Sequence, residues 1–211
     1  MALSLVINAG GQSRRMGRDK ALLVVPTSGQ PLLRHIMQRL QRLPFTQIVV
    51  VANNPQLAQQ IYFDLPTRYL PDQYPGIGPL GGIATGLSAC PDWGIFVACD
   101  MPLLNPSIFQ FLSELSGEPM DDGQPRWDAV VPLVDGYEQP LHALYHRRVA
   151  PVIAQCLADG ERRANSFLKH VRVRWVREDE LRPLDPHLYS FFNANTPEEW
   201  DEAVELLERG V

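Results

Sequence analysis

Apolar positions along the chain alternate between short continuous runs and longer stretches with helical spacing. Leu3-Ser4-Leu5-Val6-Ile7 is the first short run and reads as a buried strand. Residues 31–43 place Leu32, Leu33, Ile36, Met37, Leu40 and Leu43 at helical intervals, with Pro31 at the start. The run 47–52 is too continuously apolar and β-branched for a strand wetted on one face. It predicts a central parallel strand covered on both faces. Asn53-Asn54-Pro55 turns into a helix over 56–63, and 68–70 is a short strand. A glycine-rich loop, 71–82, then feeds a helix over 83–90. Residues 93–99 form another buried strand ending at Asp100, and Pro106 opens a helix through Leu115. Strand–helix alternation of this kind predicts a parallel α/β sheet.

The pattern loosens after that. Residues 116–126 are mostly polar and predict a surface loop. Strands are expected at 128–134 and 139–145, the second of them parallel or antiparallel, and helices at 150–157 and 165–170. Residues 171–176 alternate apolar and basic, so one face of that strand is wet. At the tail, Thr196, Pro197 and Glu199 spell a capping box ahead of an apolar stripe at Trp200, Val204 and Leu207. There are no internal repeats and no low-complexity linker. The expected organisation is a single domain, 1–211, with a first half over about 1–115 and an elaborated second half over about 116–211.

A length of 211 residues suits one domain with a sizeable core, and 45% hydrophobic with 20% charged residues is an ordinary globular balance. The net charge of −5 argues against a general binder of nucleic acid or membrane surface. No run approaches the length needed to span a bilayer, and the apolar start lacks a basic leader. Cys90, Cys99 and Cys156 are widely spaced, with no zinc or redox motif, and read as reduced thiols in a cytoplasmic protein.

Against that acidic background, Arg14, Arg15, Arg18 and Lys20 crowd behind Gly10-Gly11 at the end of the first strand. Adjacent glycines free the backbone for a close ligand, and backbone N–H groups with fixed cations make a phosphate cradle. The dinucleotide fingerprint does not match, because Gly10 and Gly11 are adjacent. The P-loop does not match either, because the interval to Gly17 is one residue too long and Arg18 follows it. Asp100 ends a buried strand, where open α/β sheets bind ligands. Beside a phosphate cradle, a lone carboxylate suits Mg²⁺, which keeps waters and substrate phosphates as its other ligands. His142 and His146 lie four apart and read as structural or substrate-adjacent rather than metal-binding.

The segment 8–20, Asn-Ala-Gly-Gly-Gln-Ser-Arg-Arg-Met-Gly-Arg-Asp-Lys, resembles the signature loop of the MobA family, the molybdenum cofactor guanylyltransferases. The resemblance continues through Gly78-Pro79-Leu80-Gly81-Gly82, Cys99-Asp100-Met101-Pro102-Leu103, Gln139-Pro140-Leu141, Gly160-Glu161-Arg162-Arg163 and residues 193–199. Asn8 departs from it, since a leucine is usual there. What the resemblance implies is a doubly wound, mostly parallel α/β fold of the nucleotidyltransferase, nucleotide-diphospho-sugar transferase-like kind. It implies GMP transfer from GTP to molybdopterin-bound molybdenum, with pyrophosphate released.

By the same resemblance, Asn8, Ala9, Gly10 and Gly11 cradle the nucleotide. Arg15 and Lys20 bind phosphates and the charge developing at the α-phosphorus. Asp72 lies beside the ribose or base, and one of Asn53 and Asn54 contacts the nucleotide. Gly78, Pro79 and Leu80 shape the guanine side. Asp100 holds Mg²⁺, with Asn195 as a second metal-facing group. Gln139, His142, Arg162, Arg163 and Asn193 face the pterin. Partners implied are cofactor-insertion proteins and molybdoenzymes.

Three rivals stand beside this reading. A cytidylyltransferase on the same cofactor would carry an Ala-Ala-Gly loop and lack the Gly-Pro-Leu-Gly-Gly run. A sugar-phosphate nucleotidyltransferase would usually have a further glycine where Ser13 stands. A non-catalytic nucleotide- or cofactor-binding protein of the same fold would be expected to lose Lys20 or Asp100. In this chain all of these positions favour the guanine enzyme.

Overall fold

A computed structural model of the chain describes residues 2–10, 20–60, 63–121 and 123–211. Its elements run in the order β1 (Leu3–Asn8), a short hairpin of β2 (Val24–Val25) and β3 (Gln30–Pro31), α1 (Leu32–Leu40), β4 (Phe45–Val51), α2 (Gln56–Gln60), β5 (Thr67–Leu70), α3 (Pro79–Ser88), β6 (Trp93–Ala98) and α4 (Pro106–Ser116). The second half adds β7 (Ala129–Val134), β8 (Tyr137–Glu138), β9 (His142–His146), α5 (Ala150–Ala158), β10 (Val173–Val176), α6 (Glu178–Leu181) and α7 (Pro197–Glu208).

Eight of these strands form one sheet in the order β10-β7-β9-β6-β1-β4-β5, with β8 paired to β7. β1, β4, β5 and β6 are parallel, as are β7 and β10; β9 alone runs against both its neighbours, β6 and β7. The expected mostly parallel, doubly wound α/β sheet is therefore present, and strands from both halves of the chain build it.

The continuous apolar runs are explained by burial on two sides. Along β1, Leu3, Leu5 and Ile7 join a cluster with α1, α4 and α7, while Val6 joins a second cluster with α3 and α5. β4 divides the same way, with Ile48 and Val50 on one face and Val49 and Val51 on the other. A strand with helices on both faces gains nothing from alternation, because every side chain is removed from water.

Three expectations shift. The helix expected over 83–90 begins earlier, at Pro79, so Gly81 and Gly82 lie inside α3 rather than in the loop before it. Glycine disfavours helix, but packing decides here. A Cβ on Gly86 would stand 2.3 Å from Val6 Cγ1, and one on Gly82 would stand 2.5 Å from Asn8 Nδ2. The strand expected over 139–145 starts only at His142; Gln139, Pro140 and Leu141 form the turn before it, closed by His142 N donating to Gln139 O at 3.0 Å. The helix expected over 165–170 is a 3-10 turn, Ser166–His170. No helix among the described residues is long and apolar enough to cross a membrane.

Candidate active site

The chain enters β1, moves out to β4 and β5, then returns through α3 to β6 on the other side of β1. That reversal opens a crevice at the carboxyl ends of the central strands. A cavity of about 510 Å³ occupies it. Asn8, Ala98 and Asp100 bring β1 and β6 to its wall; Asn53 and Asp72 come from the loops after β4 and β5. Gly78 and Pro79 open the N-terminus of α3 onto it, and Lys20 and Asn195 close the remaining side.

Asn8 is positioned by the ladder and by its own loop. Its carbonyl accepts from Cys99 N at 3.1 Å. Its side-chain Oδ1 accepts from Gly10 N at 3.3 Å, and its amide packs on the Cα of Gly82. The residue that departs from the usual leucine thus braces the first loop against the first turn of α3.

Asn53 and Asn54 separate by role. Asn54 Oδ1 accepts from Gln56 N at 3.0 Å and turns the chain into α2, whereas Asn53 reaches the cavity and accepts from Asp72 N at 2.9 Å. Asp72 is held further by Tyr74 N at 2.9 Å and Thr85 Oγ1 at 3.3 Å, both donating to its Oδ1. Gly78 adopts φ +88°, a left-handed conformation that glycine takes without cost, and its carbonyl accepts from Gly81 N at 3.1 Å. The dipole of a ten-residue helix points its positive end at the cavity there.

The polar centre is Lys20, Asp100 and Asn195. Lys20 Nζ donates to Asn195 Oδ1 at 2.8 Å and lies 3.5 Å from Asp100 Oδ2. Asp100 Oδ1 is buried and has no hydrogen-bond partner among the described residues. A carboxylate oxygen left bare in this way is costly unless a cation joins it. Asp100 and Asn195 together offer hard oxygen donors, which is the set that suits Mg²⁺. The tail fixes this pair: Ala194 N donates to Asp100 O at 2.8 Å, and Glu199 Oε2 accepts from both Asn195 N, at 2.6 Å, and Thr196 N, at 2.9 Å. The capping box of α7 is formed as the sequence spells it.

The structure gathers Asn8, Gly10, Lys20, Asn53, Asp72, Gly78, Pro79, Asp100 and Asn195 around one cavity. Gly11 and Arg15 lie outside the described residues. Ala9 is buried directly beneath, its N–H on Val51 O. Leu80 is a correction: its side chain is fully buried in the cluster under α3 and does not line the cavity.

His142 is a second correction. It is fully buried between the rings of Phe109 and Phe191, at centroid distances of 4.3 and 4.1 Å, and cannot face a substrate. Gln139, Arg162, Arg163 and Asn193 do not line the cavity; the two arginines and Asn193 are exposed. Sequence reasoning left out Pro75, Gly76, Ala98, Cys99 and Leu141, which complete the lining. Each stands within three residues of a singled-out position, and Cys99 and Leu141 lie inside the segments that carry the family resemblance.

The model of the MobA-like NTP transferase domain matches residues 5–177. A molybdenum cofactor guanylyltransferase of Vibrio cholerae is 35% identical over 93% of this chain and 88% of its own. One from Syntrophotalea carbinolica is 34% identical over 94% and 89%. The crystal structure of molybdopterin-guanine dinucleotide biosynthesis protein A from Archaeoglobus fulgidus superposes with a TM-score of 0.77, at 25% identity, covering 98% of this chain and 99% of that one.

Proposed function

The chain belongs to the MobA-like NTP transferase family, and from that premise we propose that it transfers GMP from GTP to the molybdopterin form of the molybdenum cofactor. The products are molybdopterin guanine dinucleotide and pyrophosphate. The observation that carries this reading is the meeting of Lys20, Asp100 and Asn195 in a nucleotide-sized cavity at the sheet's switch point. Relatives named for this activity match along nearly the whole chain.

The first loop, from Asn8 through Gly11, takes the phosphates, with Gly10 N held in place by the Asn8 side chain. The guanine lies against Gly78 and Pro79 at the N-terminus of α3, whose positive end favours the base's carbonyl oxygen. Asn53 and Asp72, locked to each other, bound the ribose and base side. Asp100, with Asn195, would hold Mg²⁺, which when bound neutralises phosphate charge.

The terminal phosphate of the pterin attacks the α-phosphorus in line, forming one P–O bond as the bond to pyrophosphate breaks. That nucleophile is already an anion and needs no strong base, so a site without an activated histidine is sufficient. Lys20, with Arg15, offsets the charge that builds on the transferring phosphoryl oxygens. Catalysis is then mostly positioning and fixed charge. The acceptor enters past Leu141, and the family resemblance assigns its pterin end to Gln139, Arg162, Arg163 and Asn193. None of the cysteines is disulfide-bonded, which suits the reducing cytoplasm where we place the reaction.

The test is pyrophosphate release by the purified chain with molybdopterin acceptor and Mg²⁺, with GTP, CTP and ATP assayed side by side. The expected result is the highest kcat/KM with GTP. Better use of CTP would overturn the guanine assignment, and no release with any nucleotide would overturn the transferase reading.

A further inference from the structure

Away from the cavity, the described residues bring together one group of three different metal-ligating side chains. The ligand atoms of Cys156, Glu161 and His170 all lie within 4.8 Å of one another. None of the three lines the nucleotide cavity.

The backbone builds this cluster by folding back on itself. Cys156 sits in the last turn of α5 with its side chain buried. Gly160, at φ +79°, reverses the chain after the helix, and Glu161 N donates to Cys156 O at 2.9 Å. That bond lays Glu161 over the thiol. The 3-10 turn Ser166–His170 then packs on α5 and brings His170 to the third corner.

A second observation points to a missing partner. Ser166 Oγ is more than nine-tenths buried and has no hydrogen-bond partner among the described residues. Its hydroxyl lies beside the Cys156 thiol and the Glu161 carboxylate.

We propose that Cys156, Glu161 and His170 form a binding site for a zinc-class divalent cation. Thiolate sulfur, imidazole nitrogen and carboxylate oxygen are the donor mixture that zinc accepts, and a hard ion such as Mg²⁺ does not compete for it. Three protein ligands leave the fourth tetrahedral place for water or for the nearby Ser166 hydroxyl. Free of metal, Cys156 is a buried thiol that carries its proton. Binding forms a sulfur–metal bond and releases that proton to solvent. Lys169 opposes the metal, because its Nζ already lies 2.9 Å from Glu161 Oε1. Bound metal would staple the end of α5 to the 3-10 turn and stiffen the Gly160–Arg163 segment between them.

The experiment uses the full chain, stripped by chelator and titrated with Co²⁺ and then Zn²⁺. Co²⁺ reports the thiolate through its sulfur-to-cobalt charge-transfer absorption, and calorimetry gives the Zn²⁺ affinity. One equivalent should bind with the absorption present. Cys90→Ala should keep the absorption and Cys156→Ser should lose it. Glu161→Gln and His170→Ala should each weaken Zn²⁺ by about tenfold or more, and Lys169→Met should tighten it. The last three substitutions are at the surface, so they remain informative even where Cys156→Ser folds poorly. The proposal is overturned by absence of the thiolate absorption, by its persistence in Cys156→Ser, or by Zn²⁺ affinity indifferent to both Glu161 and His170.

Discussion

Lys20 Nζ and Asn195 Oδ1 are 2.8 Å apart across 175 residues of sequence. The ammonium bridges the two side chains proposed to hold the metal, since Asp100 Oδ2 lies 3.5 Å from the same nitrogen. It is a cation on the oxygens that a second cation would need. Lys20→Met should therefore do two opposite things. Turnover should fall by about a hundredfold or more, the usual cost of one lost charge-stabilising donor. Metal affinity of the nucleotide-free protein, read with Mn²⁺ as a paramagnetic probe, should rise. Weaker Mn²⁺ binding in Lys20→Met would show that the lysine supports the metal rather than competing with it.

Asp100→Asn keeps the shape of the side chain and removes its charge. The buried, unpartnered Oδ1 then loses its reason to attract a cation. Several kcal/mol of charge stabilisation should disappear, equivalent to a loss of turnover on the order of a thousandfold. The fold should survive, because Ala194 N bonds the Asp100 backbone carbonyl and not the side chain. Near-normal steady-state turnover at ordinary Mg²⁺ would remove Asp100 from the metal site.

Gly82→Ala tests the contact between α3 and the first loop. The three atoms nearest an added Cβ all belong to the Asn8 side chain, the closest at 2.5 Å. The substitution should cost about 1–3 kcal/mol in denaturant unfolding and raise KM for GTP. Asn8→Ala in the same chain should restore most of the stability, because the clash is with that side chain. At Gly86 the obstacle is Val6 Cγ1 at 2.3 Å, so Gly86→Ala should not be rescued by Asn8→Ala. A double-mutant cycle separates the two.

These contacts also mark where sequence reading stops. β1, β4 and β6 were legible because burial on both faces writes itself as an unbroken apolar run. The α7 cap was legible because a capping box is local, spelled by Thr196, Pro197 and Glu199. Gly81 and Gly82 were misplaced because their reason is tertiary: Tyr74 and Asn8 leave no room for a Cβ. Asp100 and Lys20 could each be singled out beside a strand end. That Asn195 closes on both depends on the C-terminal segment returning to the carboxyl end of the central strand β6, and no local pattern encodes that distance. His142 stood in an apolar strand, and only the rings of Phe109 and Phe191 tell that it faces the core.

Acid should destabilise the protein through its histidines. His142 Nδ1 is buried without a partner among the described residues, and burial pushes the ring's pKa down to about 3. Burial also holds His35 and His146 below the ordinary histidine range. A group depressed in the folded state is neutral there while the unfolded chain takes up a proton. Stability is then complete above the unfolded value near 6.5 and declines as pH falls, for His142 until about 3. Each such histidine contributes about 1.4 kcal/mol per pH unit within its window. His142→Leu forgoes the bond to Ser190 Oγ, so it should be less stable at pH 7, yet its unfolding free energy should fall less steeply between pH 6 and pH 4. Equal slopes for the two proteins in urea titrations across that range would mean that His142 is not held neutral.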